Sequence, residues 1–177
     1  MRTTNREPWR IGNLALPVHY VMSGVLLNVA QGLLYGVLLG TMAVPGRVYA
    51  TARIFVLAPW CLKCLFGWVS DCFPINGYHR KFYSAYGWFV SGGAHLLLCL
   101  IFTEPAVPKY CLDTGHGDLG NYVPEAGVCN PDADAHAHTL TVLMSLSVLG
   151  TTLAESAADG LTMECAQSWN RSEARGK

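Results

Sequence analysis

From Tyr20 to Gly46 the chain carries no charged side chain. A helix crosses the hydrocarbon core of a bilayer with ~20 apolar residues, whereas a cleavable secretory signal has an apolar core of only ~7–15. The run is too long for the second and suited to the first. Inside a bilayer no water satisfies the backbone, so a lone apolar run of this kind must be helical. Two later stretches, Phe82–Phe102 and Thr139–Ala154, are equally free of Asp, Glu, Lys and Arg. Across all 177 residues, 51% are hydrophobic and 14% charged, against roughly 25% charged in soluble domains. Net charge is zero, so no basic field invites nucleic acid.

These runs predict an all-α membrane protein with about four spans, near 19–43, 49–70, 82–102 and 139–164. Residues 1–18 read as an unstructured cytoplasmic tail, 103–138 as an external loop and 167–177 as a second cytoplasmic tail. The cationic residues agree with that orientation. Arg2, Arg6, Arg10, Arg80, Lys81, Arg171, Arg175 and Lys177 fall on the inner side, and Arg47, Arg53 and Lys109 on the outer. The external loop holds Cys111 and Cys129. In an oxidising compartment they are candidates for a disulfide worth about 3 kcal/mol in the chain-entropy model. The run Asp132-Ala-Asp134-Ala-His136-Ala-His138 has metal-ligand residue types, but its alternation matches no zinc spacing and reads as a solvated loop. No cofactor and no metal site are expected.

The remaining charges carry the chemistry. Lys63 stands inside the second run, where a cation must face a cavity or the bundle interior rather than lipid. Lys63, Gly67 and Asp71 are four apart and share a helix face. Pro59 lies one turn before Lys63 and predicts a kink. On the fourth run Glu155 and Asp159 share a face, so a cationic partner or a held proton is needed between them. Asn28 and Gln31 on the first span face either a cavity or a neighbouring helix. Gly32, Gly36 and Gly40 line one face open to close backbone approach. His95 is either a packed histidine or a proton relay.

At this point the residues resemble a known family. Gly67-Trp-Val-Ser-Asp71 followed by Arg80-Lys81 is similar to the G-x-x-x-D…R-[RK] signature of the major facilitator superfamily. The wider string Pro59-Trp60-x-x-Lys63-x-Leu65-x-Gly67-x-x-Ser70-Asp71-x-x-Pro74-Ile75-x-Gly77-Tyr78-x-Arg80-Lys81-x-Tyr83 resembles the folate–biopterin transporter family. Asp159-Gly160-Leu161-x-x-Glu164 resembles that family's D-A-L-x-x-E, and Gln31-Gly32 its first-helix Q-G pair. Cys64, Phe82 and Gly160 depart from it, standing where proline, proline and alanine are usual.

The resemblance implies transport of folate, biopterin or a related pteridine by alternating access. It makes Asn28, Gln31, Trp60 and Lys63 candidates for substrate contact. Gly67, Asp71, Arg80 and Lys81 become an inner gate, and Glu155, Asp159 and Glu164 either proton-coupling groups or ion-pair partners. Lys63 has two readings, a substrate's anion or a carboxylate of the fourth helix. The family has roughly twelve spans, so four spans read as its N-terminal third, from a partial sequence, a truncated product or a decayed copy. Missing C-terminal helices or another chain are then needed for transport, and the plasma membrane is the expected location. Two other functions are open: a non-transporting four-helix fragment or subunit, and a membrane thiol oxidoreductase using Cys61 and Cys64.

Overall fold

The computed structural model describes residues 11–73, 75, 80–102, 109–112, 126–128, 130 and 132–176. The chain is mostly helical. Helix α1 runs Ile11–Tyr35 and ends in a π-helical turn, Gly36–Thr41. Helices α2 (Gly46–Cys61) and α3 (Lys63–Cys72) follow end to end, then α4 (Lys81–Ile101) and α5 (Ala137–Gly176). Between α4 and α5 lies a short antiparallel hairpin of β1 (Tyr110–Leu112) and β2 (Ala126–Val128), with Cys111 opposite Gly127. Four segments are long and apolar enough to cross a membrane: Leu14–Thr41, Gly46–Cys72, Lys81–Ile101 and Ala133–Gln167.

The last segment is the hub, touching α1, α2, α3 and α4. Its apolar window is 56% buried, against 17–22% for the other three. The closest approach is between α4 and α5. A Cβ on Gly87 would sit 2.5 Å from the Gly150 carbonyl oxygen, and one on Gly150 would sit 2.6 Å from that of Gly87. Only glycine permits backbones this near. Next to this contact a hydroxyl cluster closes the interface, with Ser91 Oγ 3.2 Å from Ser147 Oγ and 3.0 Å from Thr151 Oγ1.

Toward the hairpin the bundle is filled by apolar side chains. Leu34 and Leu38 of the first span meet Val56 of α2 and Met144 and Val148 of α5, all buried. Ala43, in the left-handed region at φ 49°, ends the first span. Pro45 then opens α2, and its carbonyl accepts from Val48 N at 2.8 Å. The segment after α4 is tied back to this turn by Lys109 N donating to Thr41 O at 2.8 Å.

Several expectations change. Among the described residues helix α1 already runs from Ile11, so residues 11–18 are not an unstructured tail. Pro17 lies inside this helix. Helix α5 continues to Gly176, since Cys165–Arg175 contains no proline or glycine to stop it. The alternating Asp/His run is not a plain loop. Residues Ala133–His136 form a 3₁₀ turn and α5 starts at Ala137, with Ala133 and Ala137 buried on one side. Gly32, Gly36 and Gly40 have nothing within 4 Å of a Cβ position, because α1 turns Ser23, Ala30 and Leu34 inward instead. The proposed Cys111–Cys129 bridge lies outside the described residues, as do Arg2, Arg6 and Arg10.

Candidate functional site

The site begins with a break in a helix. Pro59 has no N–H, so the carbonyl of Phe55 loses its usual helical partner. Ser145 of α5 replaces it, its hydroxyl donating to Phe55 O at 3.1 Å. Three residues after the proline, Leu62 leaves helical geometry at φ −86°, ψ 1°. The helix restarts at Lys63.

Lys63 is therefore the first residue of α3. A cation there, inside an apolar span, is costly unless it is paired. Two carboxylates of α5, one turn apart, offset this. Lys63 Nζ lies 3.3 Å from Glu155 Oε2 and 2.9 Å from Asp159 Oδ2. It also sits over the Trp60 ring, 4.8 Å from the centroid, a distance at which a ring face attracts a cation. The Glu155 side chain is only 7% exposed. A carboxylate withdrawn so far from water requires a close cation or a proton.

Two residues that spacing did not single out complete this cluster. The Tyr20 hydroxyl of α1 donates to Asp159 Oδ1 at 2.7 Å, so both oxygens of that carboxylate are engaged. Ser156 Oγ donates to the Lys63 carbonyl at 3.1 Å. The sole signal for Ser156 is its place between the two carboxylates. Tyr20 carried no signal, because a tyrosine at the edge of a span looks like an ordinary interfacial anchor.

A second charge cluster lies toward the α3–α4 turn. Arg80 donates to Asp71 Oδ1 through Nε at 3.2 Å and Nη2 at 2.8 Å. Its Nη1 lies 3.1 Å from Glu164 Oε1, close enough for an ion pair but without hydrogen-bond alignment. The arginine side chain is 16% exposed while Asp71 and Glu164 are 56% and 60% exposed, so the cation is inside and the anions are at the rim. Tyr83 of α4 donates to Phe73 O at 2.7 Å, tying α4 to the residue that follows α3.

The two clusters share one cleft. It lies between α3 and α5, encloses about 340 Å³, and is lined by Lys63, Gly67, Ser70, Asp71, Ser156, Asp159 and Gly160 among others. A larger cavity of about 660 Å³ lies between α1, α4 and α5. Its walls are mostly apolar, with His19, Arg80, Lys81, Ser84 and Trp88 as polar exceptions. The smaller cleft is the better candidate, because Lys63 and the carboxylates of Asp71 and Asp159 all line it. Asn28 and Gln31 lie elsewhere. Asn28 is exposed and spends Nδ2 on Gly24 O at 2.8 Å. Gln31 is exposed beside a groove with Tyr35, Tyr49 and Arg53. His95 is half-buried, with Nδ1 2.9 Å from Ser91 O and 3.0 Å from Ser147 Oγ. Cys61 and Cys64 are unbridged and exposed. Among the described residues no group of three His, Cys, Asp or Glu is arranged to hold a metal ion.

The sequence pattern of the BT1 family, the folate–biopterin transporters, matches residues 20–112. That is more than half of the chain. It belongs to the BT1 family. The match spans α2, α3 and α4 and thus carries Trp60, Lys63, Gly67, Asp71, Arg80 and Lys81. The carboxylates of α5 that meet Lys63 and Arg80 lie beyond it. No curated protein and no solved structure matches the chain. With four helices fit to cross a bilayer, this BT1 member is an integral membrane protein of a transporter family.

Proposed function

We propose that the chain forms the first four spans of a pteridine transporter, with folate, biopterin or a related pteridine as substrate. The observation that carries this reading is the Lys63 ammonium. It rests on a half-exposed tryptophan and between two carboxylates, at the wall of a cleft of about 340 Å³. Sites for small ligands have this character: a concave space with a few convergent polar groups. The carboxylates of a folate compete for the same ammonium, and Trp60 offers a flat face for a pterin ring.

Exchange of partners supplies the mechanism. When a substrate anion takes Lys63, Glu155 is left buried without its cation. A carboxylate in that position needs another positive partner, and a proton is the one proposed here. Substrate and proton then move together, with Glu155, Asp159 and Glu164 as the coupling groups. Asp71, Arg80 and Lys81 form the gate at the cytoplasmic end, which opens as the halves of the transporter rock about the central site. Further spans, from a longer chain or a second one, complete the cavity. Both termini are cytoplasmic and the membrane is the plasma membrane.

The test is equilibrium binding of labelled folate and biopterin to the chain in lipid nanodiscs. Lys63→Ala is expected to weaken folate binding at least ~10-fold, about 1.4 kcal/mol. Equal affinity in the variant overturns the role of Lys63. Failure of the unaltered chain to bind either ligand overturns the reading that these four spans themselves hold the substrate site.

A further inference from the structure

Gly160 lies on α5 one turn from Glu164, directly under the Arg80 guanidinium. A Cβ built there would be 2.5 Å from Arg80 Cζ, 2.6 Å from Nε and 2.8 Å from Nη1. Non-bonded heavy atoms do not approach so closely, so the guanidinium occupies the volume that any other residue would fill. Nη1 is fully buried in this position. From there the same group reaches Asp71 on α3 at 2.8 Å and Glu164 on α5 at 3.1 Å. Arg80 itself is the N-cap residue of α4. One cation thus ties the end of α3 and the start of α4 to the body of α5, and it does so from a seat that only glycine leaves open.

We propose that Gly160 is a positioning residue for the gate: its missing side chain lets Arg80 lie against α5 and bridge Asp71 to Glu164. The consequence for transport rests on the gate reading above, while the seat itself does not. A methyl group at 160 displaces the end of a flexible side chain rather than backbone, so α5 keeps its path and Arg80 leaves. The expected result is a local opening between α3 and α5, not unfolding. Helix propensity works in the opposite direction, since replacing a mid-helix glycine by alanine ordinarily stabilises. The two effects can therefore be read apart.

The experiment is a pulsed electron-spin distance measurement between positions 73 and 167 in the full chain in nanodiscs. Both side chains are exposed. Labels attached through ketone-bearing amino acids spare the seven native cysteines. Gly160→Ala is expected to lengthen and broaden the distance distribution as much as Arg80→Ala does, with a thermal midpoint equal to or above that of the unaltered chain. The double variant should be no broader than Arg80→Ala alone. If Arg80→Ala does not fold, Asp71→Asn takes its place. A Gly160→Ala distribution like that of the unaltered chain overturns the proposal. So does broadening that adds to that of Arg80→Ala, because Gly160 would then act on something other than the arginine. The measurement needs no substrate, so absence of folate binding bears on the substrate site alone and leaves the seat to stand or fall by itself.

Discussion

The two ends of the bundle are held by different physics. At the hairpin end, Leu34, Leu38, Val56 and Val148 are almost wholly buried against one another. At the other end, the contacts between helices are ionic: Lys63 with Glu155 and Asp159, and Arg80 with Asp71 and Glu164. Apolar packing has one good solution and resists rearrangement. Ion pairs at a partly wet cleft can exchange partners with ligand, proton or water at modest cost. The difference puts the contacts that resist rearrangement at the hairpin end and those that can be exchanged at the charged end.

The largest expected effect comes from the buried charge. Lys63→Met leaves Glu155 without its cation and should cost about 3 kcal/mol in reversible unfolding. Adding Glu155→Gln should recover most of that loss, since Asp159 is half-exposed and remains hydrated. No recovery would mean that the lysine contributes packing rather than charge. Next is Leu38→Ala at the apolar end. In lipid the transfer term largely vanishes, while lost contacts and a residual cavity remain, so about 2 kcal/mol is expected. That loss should be the same in low and high salt.

Arg80→Ala should cost only about 1 kcal/mol, because both of its carboxylates are more than half exposed. Molar salt should shrink this difference, which would separate the two ends by one titration. A salt-independent loss at Arg80 would break the contrast. The smallest effect is at the proline break. Ser145→Ala removes the donor to Phe55 O and should cost about 0.6 kcal/mol, the usual worth of a hydrogen bond between spans. An unchanged unfolding curve would show that water replaces the hydroxyl.

Much of this was legible in residue order. Charge-free runs announced the spans, Pro59 announced the break, and the spacing of Glu155 and Asp159 announced a need for a cation. The closest helix contact was not legible. Gly32, Gly36 and Gly40 repeat every four residues and yet face outward, while Gly87 and Gly150, far apart in the chain, meet. Periodicity reports that a face exists, not which helix it meets. Tyr20 and Ser156 were hidden for the same reason, since each matters through a partner more than ninety residues away.

Composition and spacing alone therefore settled the solvent, the helical class and the positions where charge sits in apolar surroundings. A bilayer leaves the backbone no other choice, and a charge inside it must be answered. Which carboxylate answers which cation was decided by packing. The break at Leu62 sets Lys63 at a helix start, α5 passes between the other spans, and Gly160 leaves room for Arg80 on its surface. Those are distances between helices, and they exist only once the bundle has closed.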